Sequence, residues 1–274
     1  MSLIITATDF SDVAAKAVNY ACQLAATYNA SVQVVHSYII PVTISDTPIP
    51  VMPVNDGQHI AEERMDKLLK GLKESFPGLD ITGKVSYGEI VDCLQDYAEQ
   101  SNPWLIVLGN SGSGNTSLWI GSTVISALKN LSCPVVAVPP DAVYRPVKKI
   151  CLAIDYKKIS QKFPAEQLLS LVQETKAELH VLHIGHNNKD LNEESILDTE
   201  SLHTMLATVK PEYHFSDSEA IDEAIQSFVS VAHIDWLVIT PHKHSFWENL
   251  FHKNTTKAIA GISHIPLVAL HEKE

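Results

Sequence analysis

The sequence predicts an α/β protein made of two tandem units, each a doubly wound, five-stranded parallel sheet with strand order 3-2-1-4-5. Three observations lead there. The chain has 274 residues, room for two domains at roughly 100–200 residues each. It repeats itself: Trp104-Leu105-Ile106-Val107-Leu108 is matched by Trp236-Leu237-Val238-Ile239-Thr240, and Cys133-Pro134-Val135-Val136-Ala137-Val138 by Ile265-Pro266-Leu267-Val268-Ala269-Leu270, both at an offset of 132 residues. And short apolar runs alternate with helix-period segments, the pattern of right-handed βαβ crossovers.

Taken in order, Leu3–Thr8 reads as a buried strand. Ser11 is placed to cap a helix whose Ala14, Ala17, Val18, Ala21, Leu24 and Ala25 share one face. Val32–Ser37 is the second strand. A Pro-rich stretch over 38–58 reads as irregular, followed by a helix over Ile60–Leu72. Ile81–Ser86 is strand three, Ile90–Gln100 a helix, Trp104–Leu108 strand four, Ser122–Asn130 a helix and Pro134–Val138 the last strand. The second copy starts with Leu152-Ala153-Ile154-Asp155 facing Thr6-Ala7-Thr8-Asp9, and Val181-Leu182-His183 facing Val34-Val35-His36. Pro139-Pro140 and Arg145-Pro146 mark an extended linker. This divides the chain into 1–140 and 147–274, whose last strands could pair within the chain as a covalent pseudo-dimer; a homodimer of chains is also open.

Composition excludes several classes. With 45% apolar and 19% charged residues the chain can bury real cores. The formal charge is −12, divided equally between 1–140 and 141–274, so no basic footprint for nucleic acid exists. No apolar run reaches the ~20 residues a membrane span requires, and the N-terminal residues lack a signal-peptide pattern. Cys22, Cys93, Cys133 and Cys151 are scattered without a C-x-x-C, which fits a reduced cytoplasm.

In an open parallel sheet, ligands bind beyond the carboxyl ends of the strands where the order reverses, here between strands one and four. Asp9 follows strand one. Gly109-Asn110-Ser111-Gly112-Ser113-Gly114 follows strand four, and Gly121-Ser122-Thr123 opens the next helix. Glycines let backbone N–H groups approach phosphate oxygens, and a helix N-terminus favours an anion. A carboxylate can accept from ribose hydroxyls. Together these features describe a nucleotide site, although neither a Walker A loop nor a dinucleotide fingerprint is present. Taken singly, the loop could be a loop only, and Asp9 a helix N-terminal acid.

Thr8-Asp9-Phe10-Ser11 after an apolar strand, Val34-Val35-His36, the G-x-x-G loop with a following Gly-Ser, and Cys133-Pro134-Val135-Val136 together resemble the universal stress protein family in a tandem form. The resemblance implies an adenine nucleotide alpha hydrolase-like, Rossmann-like fold and a stress-response role. It also implies a bound adenine nucleotide (ATP, ADP or AMP), with Mg2+ in some members. It places the base at Ala7, Thr8 and Ser37, the ribose at Asp9, and the phosphates at Leu108, Gly109, Ser111, Gly112, Gly121, Ser122 and Thr123. Nucleotide-loaded members usually have one residue more than the eight that separate Gly112 from Gly121 here.

The second half departs further: Pro241, His244, Lys253 and Asn254 occupy the positions of Gly109, Gly112, Gly121 and Ser122. It is expected to keep the fold without the site. No catalytic constellation and no metal site are expected. His242, His244 and His252 read as polar filler of a dead loop, with a metal or pH-sensing site as the alternative. Three functions remain: a cytoplasmic regulatory module binding adenine nucleotide in its first half, a slow ATP hydrolase, and an interaction protein with both sites empty.

Overall fold

The structure, a computed structural model, describes residues 2–39, 54–110, 121–154, 163–184, 193–216, 218, 221–240 and 264–271. The first half runs β1 (Leu3–Ala7), α1 (Asp12–Tyr28), β2 (Ser31–Tyr38), α2 (Val54–Ser75), β3 (Ile81–Tyr87), α3 (Ile90–Ser101), β4 (Leu105–Gly109), α4 (Ser122–Asn130) and β5 (Val135–Val138). The second runs β6 (Lys149–Ile154), α5 (Ala165–Thr175), β7 (Glu178–Ile184), α6 (Glu193–Leu206), β8 (Glu212–Ser216), α7 (Ile221–Ala232), β9 (Trp236–Ile239) and β10 (Leu267–Ala269).

Most elements lie within a residue or two of the sequence expectation. Helix α2 is the exception. It starts at Val54, six residues before the apolar period at Ile60 begins. Its first turn is polar and carries Asp56, which the helix dipole favours but hydrophobic periodicity does not report.

The ten strands form one sheet in the order β3-β2-β1-β4-β5-β10-β9-β6-β7-β8. Each half has the expected 3-2-1-4-5 order, with parallel pairing throughout. The halves meet where β10 runs antiparallel to β5, with Val268 opposite Val136. Each fifth strand would otherwise present an unpaired edge; pairing the two removes both edges at once.

Side chains alternate across the sheet as the pleat requires. Ile4, Val34, Val107, Val136, Leu152, Val181, Val238 and Val268 face α1, α2, α5 and α6. Ile5, Val35, Ile106, Leu108, Ala137, Leu182, Ile239 and Ala269 face α3, α4 and α7. Helices on both faces leave the carboxyl ends of the strands as the open edge of each unit. The linker packs against α1 rather than standing free: Lys16 Nζ donates to the Pro140 carbonyl at 2.9 Å, and Val147 N–H donates to Tyr28 Oη at 2.9 Å. The four cysteines are buried free thiols, and burial pushes those of Cys22, Cys133 and Cys151 up to about 12.

Candidate functional site

Strands β1 and β4 are neighbours, Ile4 beside Leu105, so the chain leaves the sheet in opposite directions from adjacent carboxyl ends. Everything expected at the site and described by the structure converges there. The backbone at Ala7, Thr8 and Asp9 forms the β1 exit. Thr8 N–H still donates to Val35 O at 2.9 Å, the last rung before the turn. Phe10 then takes a left-handed backbone at φ 64°, uncommon for a non-glycine residue. Its N–H bonds Thr8 Oγ1 at 3.0 Å, which holds it there.

His36, the last residue of the Val34-Val35-His36 motif, shapes this exit, with Arg64 of α2 beside it. His36 Nδ1 lies 2.7 Å from the Thr8 carbonyl oxygen. A carbonyl can only accept, so Nδ1 carries the proton and donates. The same imidazole lies against the Phe10 ring at 4.4 Å, and Arg64 of α2 reaches over the other ring at 5.9 Å. Val34-Val35-His36 at strand two thus carries a brace for the β1 turn.

Asp9 is exposed at the lip of this turn. Burial raises its pKa, but hydrogen bonds from the Ser11 hydroxyl and N–H and from its own backbone, with His36 nearby, bring it below the usual 3.8. It is therefore a carboxylate at neutral pH. Ser11 N–H donates to Asp9 Oδ1 at 2.9 Å, and the Ser11 hydroxyl caps α1 by accepting from Ala14 N–H at 3.2 Å. Asp9 belongs to the helix entry and also faces solvent at the switch point. Ser37, near the end of β2, is half-buried opposite Ser86.

On the β4 side, Leu108 is a core residue packed toward α4. Gly109 has a structural reason to be glycine. A Cβ there would sit 3.0 Å from Val13 O and 3.1 Å from Ala17 Cβ, so α1 uses the space a side chain would fill. Asn110 was not singled out by sequence. Its side chain is fully buried, and Oδ1 accepts from Gly121 N–H at 3.1 Å while its own N–H bonds Val138 O at 3.0 Å. It clips the two stems of the loop together. Its Nδ2 is buried with no hydrogen-bond partner among the described residues. The only sequence hint was its place directly after strand four.

Gly121 is the N-cap of α4, and Ser122 and Thr123 are exposed in its first turn, where free N–H groups face outward. Ser111 and Gly112 lie outside the described residues, as do Asp155 and the loop of the second half with Pro241, His242, His244, His252, Lys253 and Asn254.

A family model described as the universal stress protein family matches residues 1–139, just over half of the chain. The chain belongs to the universal stress protein family. Its overall fold is similar to that of a universal stress protein from Archaeoglobus fulgidus DSM 4304, with TM-score 0.71 and 15% identity over 99% of this chain and 98% of that one. It is also similar to a functionally unknown protein from Pseudomonas aeruginosa PAO1, with TM-score 0.59 and 14% identity, covering 99% and 93%. Both likenesses extend over both halves, so the overall fold of this universal stress protein recurs outside it. No curated protein matches the sequence. No helix among the described residues is long and apolar enough to cross a membrane.

Proposed function

We propose that this universal stress protein is a regulatory module that binds an adenine nucleotide at the β1/β4 switch point of residues 1–140. On this reading residues 147–274 form a second domain that keeps the fold and lacks a phosphate cradle. The observation that carries the reading is the convergence of an ionised, exposed Asp9 with a clipped loop stem. Asp9 faces the position of a ribose. Asn110 and the first turn of α4 supply N–H donors where phosphates would lie. The unpartnered Asn110 Nδ2 fits a site that lacks one acceptor. Base contacts fall to Ala7, Thr8 and Ser37, and phosphate contacts to Gly109, Ser111, Gly112, Gly121, Ser122 and Thr123, with Mg2+ as a possible companion of ATP.

One observation favours a second reading, an interaction protein with an empty site. Gly109 is already required by the approach of α1, so its presence does not by itself speak for phosphate. The experiment separates the two. The protein is purified without added ligand and denatured, and released nucleotide is identified by chromatography and mass. ATP, ADP and AMP are then titrated with and without Mg2+, with Gly121→Val as control. About one adenine nucleotide per chain, lost in the variant, supports the nucleotide reading. No release and no binding transfers the protein to the interaction reading. Phosphate release from ATP that disappears in Gly121→Val would instead mark it as a hydrolase.

A further inference from the structure

Away from the switch point, the outermost strands of the second half bring together residues that no local spacing suggested. His180 on β7 is paired in register with Glu212 on β8, and His214 lies two residues further along β8 on the same face. His180 Nδ1 is 3.1 Å from His214 Nε2 and 3.5 Å from Glu212 Oε2, and Glu212 Oε2 is 3.9 Å from His214 Nε2. We propose that His180 Nδ1, His214 Nε2 and Glu212 Oε2 form a binding site for a divalent transition ion of the zinc class.

The triangle has the size such an ion demands. Zinc bound at ~2.0–2.1 Å by tetrahedral nitrogen and oxygen ligands sets those ligands roughly 3.3 Å apart. The three observed separations bracket that value, so small movements of the two more exposed side chains, His214 and Glu212, close the cage. Imidazole and carboxylate are the ligand types that suit zinc, and they pass over magnesium and calcium, which prefer oxygen alone.

The alternative is a plain hydrogen bond between two neutral imidazoles, which can run in either direction. In both, His180 Nε2 stays buried with no hydrogen-bond partner among the described residues, 3.9 Å from Glu178 Oε2, in a residue only 3% exposed. An ion on Nδ1 settles the tautomer. It fixes the proton on Nε2, which then faces a carboxylate, the usual outer partner of a metal-bound histidine.

The local charges are Glu178 and Glu212 against Lys149, an excess of one carboxylate before the ion is counted. Phe228 of α7 backs the cluster, its ring 4.6 Å from that of His214 and 6.2 Å from that of His180. Three protein ligands leave a fourth position open. The ion would staple β8, the edge strand of the sheet, to β7. The site is independent of the nucleotide reading.

The test uses the full chain stripped with a chelator and dialysed. Zn2+ is titrated against a chromophoric competitor, and Co2+ is added in parallel for its visible d–d absorption, whose intensity reports four-coordination. The expected result is one high-affinity zinc per chain, a Co2+ spectrum of tetrahedral intensity, and at least ten-fold weaker binding in His214→Gln and in Glu212→Gln. Both of these residues are accessible enough to replace without opening the core, and the thermal midpoint of each stripped variant shows that it is folded. Zinc that binds equally to these variants and is lost in His242→Gln/His244→Gln overturns the proposal, as does absence of tight binding to the parent chain.

Discussion

Trp236 Nε1 donates a 2.8 Å hydrogen bond to Tyr20 Oη, joining β9 of the second half to α1 of the first across 216 residues. Both side chains are buried, and Tyr144 of the linker packs edge-on against Tyr20 at 5.2 Å. Among the described residues the equivalent Trp104 has no partner for its indole nitrogen, and the Tyr28 ring lies edge-on beside it at 5.8 Å. The duplicated tryptophans have therefore diverged, one filling its own unit and the other latching the units together. Tyr20→Phe leaves a buried indole N–H unsatisfied, and a loss of about 1–3 kcal/mol is expected. Urea unfolding followed by tryptophan fluorescence checks it. An unchanged midpoint would show that the latch contributes nothing.

Gly109 gives a sharper separation of packing from binding. Gly109→Ala puts a methyl against the Val13 carbonyl and Ala17, and neither can yield without moving α1. Overpacking of this kind costs about 1–3 kcal/mol. The expected outcome is a lower melting temperature in the absence of any nucleotide. A variant that melts like the parent but loses nucleotide would assign Gly109 to phosphate instead.

His271 predicts how the joint between the halves responds to acid. Its Nε2 lies 2.8 Å from Leu128 O and its Nδ1 3.1 Å from Cys133 O, both in the other half, and its N–H donates to Gln167 Oε1. Burial lowers its pKa below 6.5, and the two carbonyls only partly restore it. The unfolded chain thus takes up a proton near pH 6.5 that the folded chain refuses. Stability from this group is complete above 6.5 and is lost as pH falls toward the lowered value. The loss amounts to about 1.4 kcal/mol for each pH unit inside that window. Denaturant midpoints measured from pH 7.5 to 5 should show this slope in the parent and a flatter one in His271→Gln. Equal slopes would remove His271 from the acid response.

The fold was legible because it was written twice. Offsets of 132 and 146–147 residues located all four central strands of both halves, and the register of the repeat survived loss of the glycines. The parallel sheet followed from connection rules and the β5–β10 joint from the exposed edges it removes, whereas the 3-2-1-4-5 order is a premise of the switch-point reading that the sheet satisfies. What stayed hidden has a common cause. Asn110 acts between a strand end and a helix N-cap, and the His180–Glu212–His214 triangle across two strands. Their partners are 11 and 34 residues away, and each residue type is ordinary where it stands. Histidine was sought at close spacing, in 242–252, while the cluster the sheet assembles has its two histidines on different strands. Helix α2 shows the same limit, since a polar first turn is invisible to periodicity.

The nucleotide reading makes a prediction that divides the site by ligand length. His36→Phe keeps a ring against Phe10 and removes the donor to the Thr8 carbonyl, and Asp9→Ala removes the ribose acceptor. Both act at the nucleoside end, which ATP, ADP and AMP share. Each change should weaken all three by a similar factor, about five- to ten-fold for the loss of one hydrogen bond worth about 1 kcal/mol. Asn110→Ala acts at the other end. It frees the Gly121 stem and removes Nδ2, so its effect should grow with the number of phosphates and be greatest for ATP. Calorimetric titration of the three nucleotides into the three variants provides the comparison. Graded losses confined to Asn110→Ala would place phosphates over α4 and the sugar over β1. Uniform losses in all three variants would mean that the loop stem positions no phosphate, and the assignment of Gly121, Ser122 and Thr123 would fall with it.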